Sequence, residues 1–258
     1  MTIISPDTLA DALRRHGISL SPSKVRRLDA YCQCLWDWNA RLNLTRHTDY
    51  EKFVCRDLVD VLALAEFLRE GERILDVGTG GGVPGIPLAI LRPDLRVELC
   101  DSTGKKTLAV SEILREMKLN LPVWHAKVEA LLPNREKGER FTTLVVRAVS
   151  RLANLLRIAA PHWTQFDRLL LVKGPHWPEE RSEARHHNLM NKLALRCLKT
   201  YSTKAVDNET VESAILQICR KECFDDLDKR IDDRKNEVPA ERSERWGPQG
   251  QSRKRDFR

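Results

Sequence analysis

The stretch ILDVGTGGGVPGIP, from Ile74 to Pro87, sets Gly78, Gly80, Gly81, Gly82 and Gly85 in a chain that has only 12 glycines over 258 residues. It lies between a short apolar run and a helix-like run. Glycine turns left-handed at little cost and lets a second backbone or a ligand come close. So much of it directly after a buried strand confines the chain to folds built from strand–turn–helix units. In such folds the turn at the carboxyl end of the first parallel strand holds part of a nucleotide-like ligand. A glycine turn without a ligand is the bland alternative, and five glycines within eight positions speak against it.

The rest of the sequence agrees with that restriction. RILDVG, RVELCD, PVWHAK, FTTLVVRA and RLLLVKG read as strands, and PGIPLAILRP, GKKTLAVSEILREMKL, SRLANLLRIAAPH and PEERSEARHHNLMNKL as helices. This alternation predicts a parallel sheet covered by helices on both faces. LALRCLKTYS and VESAILQICRK follow with no helix-length insert, so they are expected to pair antiparallel and close one edge.

Residues 1–70 read as a helical cap. One helix opens on Ser5 and Pro6 and stops at Gly17, and a second follows Ser21-Pro22 with Val25, Leu28, Tyr31, Leu35 and Trp38 at helical spacing. A third runs through Phe53, Leu58, Leu62 and Ala65 to Gly71. The α/β domain spans 71–222. From 223 to 258 the chain is densely charged in both signs and ends in Arg253, Lys254 and Arg255, so it is expected to be a disordered tail.

A net charge of +7 and a pI near 9.1 favour a polyanionic partner. No apolar run approaches the roughly 20 residues that span a bilayer, and the amino terminus lacks the basic-then-apolar order of a signal peptide, so a cytoplasmic protein is expected. The seven cysteines fit neither a disulfide framework nor a zinc site. Cys32, Cys34, His47 and Cys55 come nearest, and no metal is expected. Nothing calls for more than a monomer.

The glycine run can be parsed in two ways. Gly80, Gly82 and Gly85 satisfy the G-x-G-x-x-G of a dinucleotide site. Asp76, Gly78, Gly80 and Gly82 satisfy D-x-G-x-G-x-G, the pattern of S-adenosylmethionine sites. A carboxylate at Asp76 can accept from the ammonium of an amino-acid cofactor, whereas it would repel a pyrophosphate. The antiparallel final pair also suits the second parse. Asp101, about 20 residues beyond the loop, lies where an acid meets a ribose diol in either class.

The fourth strand ends LVVRAVS, with neither the Asn-Pro-Pro-Tyr type motif of amine methylation nor the Pro-Cys of C5 methylation. An acceptor with its own lone pair, such as guanine N7, needs neither, and catalysis then rests on positioning and electrostatics. Trp36 and Trp38 could stack on bases, although aromatics on an amphipathic helix more often belong to a core. Lys105 and Lys106, just after Asp101, are candidate contacts to an RNA backbone. Lys173, ending the fifth strand, is either structural or RNA-facing.

WNARLNLT from Trp38, the loop with its trailing Val-Pro-Gly-Ile-Pro, CDSTGKK from Cys100, KVEAL from Lys127, VVRAVS from Val145 and LLVKGP from Leu170 occur in one order between about Ile18 and Lys221. Together they resemble the bacterial 16S rRNA guanine-N7 methyltransferases, also called glucose-inhibited division protein B. The resemblance implies a class I, Rossmann-like methyltransferase sheet behind the cap. It also implies S-adenosylmethionine as cofactor and a guanine of 16S rRNA, in the small ribosomal subunit, as acceptor. By position, cofactor contacts would fall on Gly78, Val83, Val128, Glu129 and Arg147.

This chain departs from the family pattern in the third helix, where Asp57 and Val61 replace a histidine and a serine of Arg-His-Phe-Leu-Asp-Ser. Lys127 replaces an arginine before the Val-Glu pair, keeping the charge for RNA but losing the planar fork. Two other readings stay open: a nicotinamide-dependent oxidoreductase, and a ribosome-assembly factor that holds RNA without catalysis.

Overall fold

The computed structural model describes residues 7–134, 140–204 and 210–223. The tail from 224 on, with its basic end, and the Ser5-Pro6 start signal lie outside the described residues. The first helix, α1 (Leu9–Arg15), is instead capped by Thr8, whose Oγ1 accepts from Asp11 N at 3.2 Å while Thr8 N donates back to Asp11 Oδ2 at 3.3 Å. The second, α2 (Pro22–Asn39), starts on Ser21-Pro22 as expected. Asn39 then closes the WNARLNLT turn, its Oδ1 accepting from Leu44 N and Thr45 N at 2.8 and 2.9 Å.

The third helix differs from the uniform α-helix expected. It begins as α3 (Tyr50–Lys52), widens into a π-helical turn over Phe53–Leu58, and returns to α winding as α4 (Val59–Ala65). Such widened turns cluster at functional sites. Here the turn carries Asp57 and leads into Asp60.

The α/β part follows in the expected alternation: β1 (Arg73–Val77), α5 (Gly85–Leu91), β2 (Arg96–Asp101), α6 (Gly104–Glu116), β3 (Val123–His125) and α7 (Val128–Leu131). Then come β4 (Thr143–Arg147), α8 (Leu152–Ala159), β5 (Arg168–Lys173) and α9 (Trp177–His186). The hairpin of β6 (Leu193–Lys204) and β7 (Thr210–Arg220) is longer than its apolar runs suggested. The seven strands lie in the order β3-β2-β1-β4-β5-β7-β6. The first five run parallel, and β7 is antiparallel to both β5 and β6. This is a Rossmann-like sheet with the antiparallel last strand that the sequence predicts, as the resemblance also implies.

Strand order reverses at β1, so the crevice at its carboxyl end is where an open sheet of this kind receives a ligand. Two cores flank the sheet. One joins the cap to it, with Leu28, Tyr31, Leu35 and Phe53 packing on Ile74 and Ile86. The other lies under α8 and α9, around Leu75, Val146 and Leu171. Each fully buried side chain of this size contributes about 1.5–3 kcal/mol.

At the opposite, amino-terminal edge, Arg168 is wholly buried. Its guanidinium donates to Thr143 Oγ1 (2.9 Å), Gln217 Oε1 (2.9 Å), Phe67 O (2.7 Å) and Glu72 Oε1 (2.9 Å). One side chain thus ties the end of the cap to β4, β5 and β7.

Candidate active site

The glycine loop folds so that most of its N–H groups are used internally. Gly78 N and Thr79 N donate to Cys100 O, Gly82 N and Val83 N to Thr79 O, and Ile86 N to Gly82 O. Gly80 N donates to Asp101 Oδ2 at 3.0 Å and Gly85 N to Asp76 Oδ2 at 2.9 Å. A pyrophosphate would have to displace these bonds, so the loop does not offer the cradle that the dinucleotide parse requires.

The glycines also divide by what surrounds them. Gly78 (φ +70°) and Gly80 (φ +60°) have left-handed backbones and form the open side of the loop. A Cβ on Gly78 would lie 2.6 Å from Val149 Cγ2, in the turn after β4. Gly81 serves the cap instead: a Cβ there would lie 2.7 Å from Leu35 Cδ1, and its carbonyl accepts from the Tyr31 hydroxyl at 2.8 Å. Gly82 and Val83 spend their N–H groups starting α5. Gly82, expected to contact the cofactor, has both its N–H and its carbonyl engaged in the turn. Gly85 makes room for Asp76, whose Oδ2 a Cβ would meet at 2.8 Å.

Asp76 ends up as an anchor before anything else. Its Oδ2 accepts from Thr79 Oγ1 (2.6 Å) and Gly85 N, pinning both ends of the loop. Its Oδ1 is buried and has no hydrogen-bond partner among the described residues. Burial pushes the carboxyl up to about 6, and the two hydrogen bonds only partly offset this. An unpaired carboxylate oxygen beneath the loop suits a cationic ligand group and opposes an anionic one.

Across β1 from Asp76 lies Asp101, at the end of β2. Its Oδ2 holds Gly80 and its Oδ1 accepts from Thr103 N at 2.8 Å, so the carboxylate is fixed beside the loop with lone pairs to spare. Further along, Val128 and Glu129 open α7, both half-buried. Val128 borders an apolar cavity of about 20 Å³ shared with Val77, Leu144 and Val146.

On the other side of β1, Val77 is level with Val146, which places Arg147 beside Gly78. Arg147 Nε donates to Asp60 Oδ2 at 2.8 Å and Nη2 to Asp57 Oδ1 at 2.5 Å. Each carboxylate has a partner behind it: His47 Nδ1 lies 2.9 Å from Asp57 Oδ1, and the Tyr201 hydroxyl donates to Asp60 Oδ1 at 2.6 Å. Burial works to lower the pKa of the guanidinium, but the charges of Asp57 and Asp60 outweigh it and hold the pKa above its usual value. Burial raises Asp60, with Arg147 pulling the other way. The replacement at position 57 therefore supplies a second carboxylate to Arg147, with a histidine from the preceding loop beside it.

The candidate lysines fare differently. Lys105 is exposed and Lys106 half-buried in the first turn of α6, and Lys127 is exposed just before α7, all at the carboxyl edge of the sheet. Lys173 is not available: its Nζ donates to Ser150 O and Glu180 Oε2, each at 2.7 Å, with the side chain 12% exposed. Glu180 Oε2 also accepts from Leu152 N at 2.7 Å, capping α8. Trp36 belongs to the cap, its Nε1 donating to His47 O at 2.8 Å and its ring edge-on to Tyr50, while Trp38 sits against Arg41.

Sequence reasoning missed Asp60, His47, Tyr201, Glu180 and Val149 as parts of the site. Asp57 carried a signal as a departure from the family pattern and Asp60 as a match to it, while His47 was noted only beside the cysteines.

The family model described as "rRNA small subunit methyltransferase G" matches residues 24–210. A protein of that name from Rhodopirellula baltica is 48% identical over 202 residues, covering 78% of this chain and 86% of its own length. Another, from Pseudomonas aeruginosa, is 41% identical over 175 residues, covering 67% of this chain and 80% of its own. Among solved structures, WbdD, co-crystallised with a kinase inhibitor, shares the fold alone, with a TM-score of 0.52 at 12% identity over 72% of this chain and 47% of that one. No described helix is long and apolar enough to cross a membrane. The match spans the end of the cap, the loop and the Arg147 cluster together, and on it the chain belongs to the rRNA small subunit methyltransferase G family.

Proposed function

We propose that the protein transfers a methyl group from S-adenosylmethionine to N7 of a guanine in 16S rRNA, acting as a single chain on the small ribosomal subunit in the cytoplasm. The observation that carries this is the row formed along the carboxyl edge of the sheet. In the strand order β3-β2-β1-β4, it runs from Val128 and Glu129 through Asp101 and the loop over Asp76 to Arg147. Acids outnumber the single guanidinium, and the loop has few N–H groups to give. Such a row matches a ligand with a nucleoside at one end and a charged amino acid and sulfonium at the other.

Asp101 would meet the ribose, Val128 and Glu129 the adenine, Gly78 and Gly80 the middle of the cofactor, and Arg147 its amino-acid end. Asp76 would act from beneath through its unpaired Oδ1. S-adenosylmethionine supplies an electrophilic methyl group on sulfur. Guanine N7 brings an in-plane lone pair and no proton, so no protein base or nucleophile is required. Cys100, whose carbonyl accepts from the loop, is buried, and burial pushes its thiol up to about 12, which keeps it out of nucleophilic chemistry. Lys105, Lys106 and Lys127 stand where phosphates of the RNA would pass.

The test is to incubate small subunits from a strain lacking this enzyme with methyl-labelled cofactor and analyse the nucleosides by mass spectrometry. Labelled 7-methylguanosine is the expected product. Binding of the subunit with no 7-methylguanosine above background would favour the assembly-factor reading. Binding of NADH but not of S-adenosylhomocysteine would favour the oxidoreductase.

A further inference from the structure

Arg147 is held in an unusual way. One carboxylate is enough to neutralise the buried guanidinium of Arg147, yet the side chain takes two. The charge of Arg147 alone therefore does not account for both Asp57 and Asp60. Geometry does. The two acids take different nitrogens, Asp60 on Nε and Asp57 on Nη2, so the plane of the guanidinium is set by two separate points. A single forked partner would let the arginine swing with it. Each point is itself held, Asp60 by Tyr201 of β6 and Asp57 by His47 of the loop after α2. What this leaves is Nη1, for which the structure gives no acceptor among the described residues.

We propose that Asp57, backed by His47, is a positioning residue that turns Nη1 of Arg147 toward the methionyl carboxylate of S-adenosylmethionine and so sets affinity for the amino-acid half of the cofactor. The proposal rests on the reading of Arg147 as the contact at that end of the row. It concerns one of the positions at which this chain departs from the pattern that the resemblance gave.

Two ligands test it on the full chain by calorimetry. S-adenosylhomocysteine carries the carboxylate, and 5′-methylthioadenosine lacks the whole amino-acid half. Asp57→Ala is expected to bind the first about tenfold more weakly, the size of a hydrogen bond to a charged group, and the second as the wild type does. Asp57→Asn keeps an acceptor for Nη2 and is expected to recover most of the loss. In an Arg147→Met background, Asp57→Ala should add little, because the two act as one unit. A melting curve controls for folding, and His47→Gln serves as a second variant, with a smaller loss for the same ligand only.

Equal weakening toward both ligands would mark Asp57 as merely structural and overturn the proposal. So would unchanged binding of both, or effects of Asp57→Ala and Arg147→Met that simply add. If Arg147→Met weakens S-adenosylhomocysteine while Asp57→Ala does not, only the positioning role fails. If Arg147→Met binds it as the wild type does, the reading of Arg147 fails, and the proposal with it.

Discussion

Replacing Asp76 by asparagine separates the two tasks that the structure gives this residue. In the folded chain, burial lifts the carboxyl from 3.8 to about 6. The folded state therefore holds its proton more tightly than the unfolded chain does. For an acid with a raised pKa, stability is fully present below the unfolded value and declines as pH rises through the folded one. The rise corresponds to roughly 3 kcal/mol of destabilisation at neutral pH, of which about 1 kcal/mol develops between pH 5 and 7.

Asparagine keeps an oxygen for Thr79 and Gly85 but carries no charge. Its amide would sit where Oδ1 lies, a buried donor without a partner, which costs about 1–3 kcal/mol at every pH. Asp76→Asn should thus gain on the wild type as pH rises, by about 1 kcal/mol from pH 5 to 7, and end near or above it at pH 7. Urea unfolding of both proteins across that range measures the difference, with unrelated titrations cancelling. Affinity for S-adenosylmethionine should fall in the same variant, because the unpaired oxygen beneath the loop is gone. A stability difference that does not change with pH would refute the assigned burial effect, and undiminished affinity would refute the cofactor role. Alanine is a poorer probe, since it also removes the acceptor for Gly85 N and unpins the loop.

Three further outcomes follow from the geometry. Gly78→Ala meets both a left-handed backbone, costing about 1–2 kcal/mol, and Val149, and should chiefly lower cofactor affinity; Gly81→Ala meets Leu35 of the cap and should chiefly lower the melting temperature. Arg168→Met takes from buried Glu72 one of its two arginines, Arg69 remaining at 2.7 Å, and leaves Thr143 Oγ1 and Gln217 Oε1 without their buried donor, so it should cost about 1–3 kcal/mol in urea unfolding, and a loss below about 0.5 kcal/mol would contradict the tie assigned to Arg168. In RNA binding followed against salt, Lys105→Ala should reduce the slope by about 1, whereas Lys173→Met, whose ammonium is already paired, should leave the slope unchanged.

The parts of the fold that could be read from sequence are those written in local patterns. Buried strands alternating with amphipathic helices, and five glycines between the first two, lead directly to a parallel sheet with a ligand crevice. The missing helix between the last two strands leads to an antiparallel edge. The π-helical turn at Phe53–Leu58 has no such signature, because nothing in its composition distinguishes it from the helix around it. Partners far apart in the chain were out of reach for the same reason: Arg147 with Asp57 and Asp60, and Tyr201 with Asp60, are brought together by topology and not by spacing. Asp76 shows a different limit. Its type and place were legible, but the use of one oxygen by the loop itself depends on how closely Gly85 lets α5 approach.

The contact between Tyr31, Leu35 and Gly81 means that the site cannot be moved to another sheet without α2. The loop's shape is specified partly by a helix translated before it, so a graft of Ile74–Pro87 alone would lose the hydroxyl that holds Gly81 and the surface that forbids it a side chain.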